Sequence, residues 1–518
     1  MKKIRLWLIP IFIVLFYLGS HLYQLTQLPV FADEAIYIRW TQLIIDDWQQ
    51  YLFFPMNDGK TPLMMWLMAP FQFLFSDQLF AGRFISVLIG LGQILSLGYL
   101  TKLLGGKQKT VWLTMLLGST LPFWFFHHRM ALTDPLLCLG ITWTIIGVVK
   151  LINNKQKYLW LGLTALFFGL ALWAKLPAIL IIPSLFLYAW LKPAKLTPRI
   201  KQLAYIALAV LGGLMIFFSL KLHPVFSQLF SRGSDFLYPW KEVIFQDKWR
   251  QTVINIPTYI KYFGVYLSWP ILLLNLIGQF LPNAKKRRPQ HILLLSAILF
   301  AAPIALLGKV VYPRYLLPVS IFLTTSAALV VEELFSITLK QKLFWKKALW
   351  GIILGAMLLN IGAVSGKFIY FSLTNSDKIP FVSADQEQYL YKWSSGHGIK
   401  ESVSYINDQA QDHTIAIATE GSFGTLPDGI LMYFHRQNVD GIYVEGIGYP
   451  VKQITEKFSN RAKEFDQILL VANSHRLKLE LPPENLLQEY CRPDDAPCLQ
   501  IWDITQFVKE EKLPIKKS

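Results

Sequence analysis

Apolar residues along this chain fall in long blocks rather than in the alternating or amphipathic patterns of a soluble core. Block after block runs for about 20 residues with almost no charge, the length needed to cross a hydrocarbon layer as a helix. The first runs from the amino terminus to about Ser20. Further spans are predicted near 80–101, 110–127, 133–152, 158–174, 177–191, 203–221, 258–281, 291–308, 314–334 and 349–371. The count comes to about 11 helices. The start Met1-Lys2-Lys3-Ile4-Arg5 resembles a signal peptide. Its exit, Gly19-Ser20-His21-Leu22-Tyr23, has no small-x-small cleavage pattern, so it reads as an uncleaved first helix.

Three stretches break the pattern. Residues 23–78 form a long first outer loop, in which Thr41 to Trp48 reads as an amphipathic helix lying in the membrane interface. A second large outer loop covers 222–256 and carries Ser231-Arg232-Gly233-Ser234-Asp235 among several aromatics. After residue 376 the composition changes. Short β runs at 414–418, 441–444, 467–471 and 498–502 surround a helix-like stretch from Val451 to Ala462. The expected fold is therefore an all-α polytopic membrane domain, 1–375, followed by a small α/β extracytoplasmic domain, 376–518.

Charge fixes the expected orientation. Lys2, Lys3 and Arg5 precede the first span. Every second loop after it is also basic: Lys102, Lys107 and Lys109; Lys150, Lys155 and Lys157; Lys192, Lys195, Arg199 and Lys201; Lys285 to Arg288; and Lys340, Lys342, Lys346 and Lys347. Basic loops stay in the cytoplasm. The amino terminus is thus expected inside, and with an odd number of spans the carboxyl-terminal domain lies outside. The compact loops suit a bacterial cytoplasmic membrane.

Composition agrees. The 518 residues are 53% hydrophobic and only 16% charged, against about 25% charged in soluble domains. The net charge of +17 does not indicate nucleic-acid binding, because the cations sit in short clusters between apolar runs. Of three cysteines, Cys138 lies in an apolar run and reads as a packed thiol. Cys491 and Cys498 bracket a polar turn and are able to pair in an oxidising compartment. No cysteine spacing typical of a metal site is present.

Charges at the outer ends of spans are costly and need a reason. By the loop count, Asp33, Glu34, Lys60, Arg83, His128, Arg129, Asp134, Lys175 and Arg314 all fall on the outer side. Each has an ordinary reading. Asp33 and Asp134 are placed to cap helices, Lys60 and Arg314 to snorkel, and the adjacent His127 and His128 are a weak metal signal. Together, carboxylates and cations at one membrane face suit a reaction on an anionic lipid headgroup.

Their order along the chain is more specific. Asp33-Glu34 lies in the first outer loop, and Lys60-Thr61-Pro62 follows later in that loop. Arg83 opens the second span, Asp134-Pro135 the fourth, and Arg314-Tyr315-Leu316-Leu317-Pro318 a late one. Over roughly residues 1–335 this resembles the GT-C glycosyltransferase superfamily, in the branch of aminoarabinose transferases and protein O-mannosyltransferases. The resemblance implies transfer of a sugar from a polyprenyl-phosphate donor to a lipid, glycan or protein acceptor on the outer face, usually with inversion. It makes Asp33 and Asp134 the catalytic positions. Lys60 and Arg314 become donor-phosphate contacts, with Arg83 and Arg129 beside them. Glu34, His128 and Lys175 are secondary positions. Aminoarabinose transferases tend to carry a Glu just before the Lys, where this chain has Gly59. No cofactor is demanded, although the acidic pair is able to hold a divalent cation. Trp240 and Trp249 are expected to help the second outer loop close over the sugar. The rival readings are a transporter or lipid flippase, and a membrane-anchored binding protein working through 376–518. The one-sided charges and the lack of two-half symmetry argue against a transporter.

Overall fold

The computed structural model describes residues 2–435 and 441–516, with the side chains of 2–7 and 515–516 outside the described set. Lys2, Lys3 and Arg5, where the charge count begins, are therefore known only as backbone. The chain divides into two compact units.

The first unit comprises residues 1–24, 50–67 and 83–382. Among the described residues, eight helical segments are long and apolar enough to cross a membrane. Helices named below are α1 (Lys2–Leu22), α2 (Ala32–Asp46), α3 (Gln78–Leu103), α4 (Gln108–Thr120), α5 (Pro122–His127), α6 (Thr133–Asn153), α7 (Lys157–Ala174), α8 (Leu196–Phe218), α9 (Trp249–Phe263), α10 (Ala284–Leu307), α11 (Val319–Leu339) and α12 (Phe344–Thr374). Every predicted span coincides with helix. Of the three missing from the eight, α1 is described with its side chains only from Leu8, and the other two are broken at proline. Pro122 opens α5 just after α4 ends, and Pro177 and Pro183 divide Leu176–Trp190 into short 3-10 and α pieces. The second outer loop gives way to helix earlier than the hydropathy suggested. Helix α9 starts at Trp249 and carries Pro257 inside it.

Helices α6, α7 and α8 pack through small residues. A Cβ added to Gly140 on α6 would lie 2.8 Å from the Cβ of Ala171 on α7, and one on Gly147 would meet Thr164. Gly213 on α8 approaches Phe168 in the same way. In lipid, where apolar surface gains little by burial, such close backbone approach drives helix association.

The second unit comprises residues 25–49, 68–82 and 383–518. Its sheet contains β1 (Ile415–Thr419), β2 (Ile442–Gly446), β4 (Gln467–Asn473), β5 (Leu486–Tyr490) and β6 (Leu499–Asp503), in the order β2-β1-β4-β6-β5; the two-residue β3 (Ile454–Thr455) lies apart. Strand β1 is parallel to both neighbours, and β6 is antiparallel to β4 and β5. All four expected β runs are strands; β5, of mixed burial, was not anticipated. The helix expected from Val451 starts at Glu456, after β3. Cys491 and Cys498 form a disulfide.

Helix α2 belongs to this second unit and is buried over most of its surface. Glu34 to Ile38, Trp40 to Gln42 and Ile44 are all buried. The Gln42 side chain donates to the Met432 carbonyl (2.8 Å), the Ala32 amide to the Ser394 carbonyl (2.9 Å), and Phe31 packs on Tyr389. Amphipathic spacing marked a helix correctly, but burial on nearly all sides followed from residues some 350–390 positions away.

Candidate active site

Asp134 occupies the first turn of α6, where a carboxylate is favoured by the helix dipole. Lys175 caps the far end of α7 in extended backbone. Because α6 and α7 run antiparallel and touch through Gly140 and Gly147, the start of one meets the end of the other. Lys175 Nζ lies 2.7 Å from Asp134 Oδ1, with the Asp134 side chain only 3% exposed.

Lys175 also stands over the Tyr315 ring, 5.5 Å from its centre. Tyr315 sits in the 3-10 turn Pro313–Leu316 that leads into α11. The neighbouring Arg314 is buried, with its guanidinium 5.6 Å from Tyr315 and 5.8 Å from Tyr312. The Phe236 ring, from the second outer loop, meets Tyr315 edge-on at 6.4 Å. Lys60 Nζ lies 5.7 Å from Phe236. Lys60 is turned into place by Gly59, whose φ of +70° suits glycine. Asp134, Lys175, Arg314 and Lys60, predicted from distant segments, thus gather around two aromatic rings. A cation over a ring face is attracted by the ring's quadrupole, and three cations beside one carboxylate leave this cluster net positive, which suits a site that receives an anion.

Sequence reading missed four members. Tyr315 and Phe236 are the rings, and Arg232 and Asp58 form a bridge of 2.8 Å from the second outer loop to the segment before Lys60. Arg232 Nε also donates to Asp235 at 3.0 Å. Burial works against the Arg232 charge, but the bonds to Asp235 and Asp58 prevail and raise its pKa. Tyr315 was visible inside its motif. The Asp58–Arg232 pair spans 174 positions, and no local pattern announces it.

Other predicted residues have different surroundings. Arg129 Nη1 donates to the carbonyls of Ser20, His21 and Tyr23 at 2.8–2.9 Å, and Nη2 to that of Gln24 at 2.7 Å. It closes the carboxyl end of α1, whose last carbonyls lack helical partners. His128 lies fully buried among Tyr17, His21 and Trp124, with Gly90 of α3 closely opposed. Arg83 is buried in the second turn of α3. Trp240 and Trp249 are half exposed. In the second unit, Glu34 caps α2 by accepting from the Phe31 amide at 3.0 Å. The capping role open to Asp33 thus falls to Glu34, and Asp33 lies half-buried in the first turn. Among the described residues, Glu489, Cys491 and Cys498 bring three potential ligand atoms together, but the two sulfurs are bonded to each other.

The fold, a multi-pass set of long apolar helices and a small α/β unit, is of the GT-C type. The sequence model of the dolichyl-phosphate-mannose-protein mannosyltransferase family matches residues 59–220. Among solved structures, the chain resembles ArnT from Cupriavidus metallidurans bound to undecaprenyl phosphate. The TM-score is 0.55 and the identity 15%, over 95% of this chain and 97% of that one. It also resembles the archaeal oligosaccharyltransferase AglB from Archaeoglobus fulgidus, in complex with an inhibitory peptide and a dolichol-phosphate. There the TM-score is 0.55 and the identity 12%, over 91% of this chain and 70% of that one. No curated protein sequence matches.

Proposed function

We propose that the chain is a membrane glycosyltransferase that moves a sugar from a polyprenyl-phosphate carrier to an acceptor on the outer face of a bacterial cytoplasmic membrane. The observation that carries this reading is the clustering of Lys60, Arg314 and the Asp134–Lys175 pair about Tyr315 and Phe236. The undecaprenyl phosphate and dolichol-phosphate held by structures of the same fold support it. Alternate basic loops and a disulfide in the carboxyl-terminal unit support an outward-facing carboxyl terminus.

In the reaction, the acceptor's nucleophile forms a bond to the anomeric carbon as the bond from that carbon to the phosphate oxygen breaks. Attack from the opposite face inverts the anomeric centre. The acceptor proton passes to Asp33, a step worth typically ~10²–10⁴-fold. The oxygen of the departing lipid phosphate gains charge, which Lys60 and Arg314 stabilise. Removing one such contact costs about 10²–10³ in rate. The carrier's apolar tail lies along the spans. Asp134 orients Lys175 toward the same group, while Arg129 acts structurally.

The test is reconstitution in liposomes with a labelled polyprenyl-phosphate sugar and an extract of envelope acceptors, with and without EDTA. Release of free polyprenyl phosphate is expected, together with its abolition in Asp33→Asn and Lys60→Ala at unchanged membrane insertion. Movement of intact labelled lipid between leaflets, with nothing released, would make the protein a flippase instead. Loss of release in EDTA would assign a divalent cation to the acidic residues.

A further inference from the structure

The winding of the second unit's sheet reverses direction between β1 and β4. Strand β1 lies between β2 and β4; the chain leaves β1 toward β2 and leaves β4 toward β5 and β6, on the opposite side. Where adjacent parallel strands send their connections in opposite directions, a gap opens beyond their carboxyl ends, and ligands of open α/β sheets bind there.

Glu420 follows β1 directly, and Asn473 ends β4. Glu420 is fully buried. It accepts from the Asn473 amide (2.9 Å), the Asn473 side chain (2.6 Å) and Arg476 Nη1 (3.4 Å). Behind it, Arg492 donates to the Asn473 side chain and to the Ser395 carbonyl. The Arg476 guanidinium is sandwiched between Trp393 and Tyr449, 4.2 Å from each ring centre. The loops after β1 and β2 are tied by reciprocal backbone hydrogen bonds, the Gly421 amide donating to the Gly448 carbonyl (2.9 Å) and the Gly448 amide to the Gly421 carbonyl (3.0 Å). On this braced floor stand two exposed aromatics, Phe423 at 54% and Tyr449 at 65% exposure.

We infer that this crevice binds an anionic sugar of the acceptor, one carrying a carboxylate or a phosphate. Two arginines face one buried carboxylate, so the floor carries excess positive charge. Glu420 engages only Nη1 of Arg476, at long range, so the planar fork keeps Nε and Nη2 for paired bonds to an anion. The stacking rings hold that fork flat before the ligand arrives. Exposed Tyr449 and Phe423 offer apolar faces for a pyranose ring. The inference rests on the glycosyltransferase reading for its link to an acceptor, but binding itself requires no catalysis.

The test is ligand-observed NMR on the full chain in detergent, without donor lipid, titrating glucuronic acid, glucose 6-phosphate and glucose. Either anion, or both, is expected to bind about tenfold more tightly than glucose; which one does so separates carboxylate from phosphate recognition. R476Q is expected to remove that preference, and R476K to restore it only partly. The surface variant Phe423→Ala, which leaves the floor intact, is expected to weaken binding of all sugars. Absence of saturable binding, an anion preference unchanged in R476Q, or full binding in Phe423→Ala would overturn the inference. Loss of transfer with sugar binding intact would count against the enzymatic reading alone.

Discussion

Lys175 Nζ stands 2.7 Å from Asp134 Oδ1, joining the last residue of one membrane hairpin arm to the first turn of the other. The pair is asymmetric, with Asp134 almost wholly buried and Lys175 partly open toward Tyr315. Such a geometry lets the lysine respond to an arriving anion while the carboxylate holds it in place. Lys175→Met leaves a buried carboxylate without its cation. It is expected to destabilise the protein by about 3 kcal/mol, whereas the double change with Asp134→Leu recovers much of that loss. Thermal unfolding in detergent would measure both. Equal losses in the single and double variants would mean that the pair does not act as a unit.

The hairpin itself depends on the missing side chain at Gly140. Its Cβ would come within 2.9 Å of Ala171 backbone, which cannot swing away. Gly140→Val is therefore expected to splay α6 from α7 and to move Asp134 off Lys175. Transfer should fall at least about tenfold, with a lower unfolding temperature. Gly162, which has open space around it, is the control: Gly162→Ala should leave both properties unchanged.

Arg129 donates to four carbonyls at the end of α1. Arg129→Lys keeps the charge but cannot reach all four, and bonds from charged donors are worth about 1.5–3 kcal/mol each. A marked loss of thermal stability is expected, with donor affinity per folded molecule preserved. Weakened donor binding at full stability would instead return Arg129 to the phosphate site.

Asp428, in the second unit, supplies a pH dependence. Burial raises its pKa to about 6, although the bond from the Gly424 amide and the charge of Arg39 pull the other way. An unfolded aspartate titrates near 3.9. Between those values the folded form holds more protons, so stability is greatest below about pH 4 and falls as pH rises toward 6. The group contributes a slope on the order of 2–3 kcal/mol across that window. Asp428→Asn should abolish it. Hydrogen exchange of β1 amides as a function of pH would report the change, and an identical slope in the variant would exclude Asp428 as its source.

The sequence alone determined where the spans lie and four of the later strands, though not how many helices are long enough to cross. It could do so because a membrane leaves no water to satisfy backbone groups, so each crossing must be a continuous apolar helix written in consecutive residues. It also marked Asp134, Lys175, Lys60 and Arg314, since charge at a membrane edge stands out against apolar neighbours. Tertiary structure alone decided their partners. It bound Asp58 to Arg232, gave Arg129 to the end of α1, made Glu34 rather than Asp33 the cap of α2, and enclosed α2 in the carboxyl-terminal unit. Hydropathy is local along the chain. A hydrogen bond or ion pair is decided by which groups packing brings within about 3 Å, and helices tens or hundreds of residues apart settle that together.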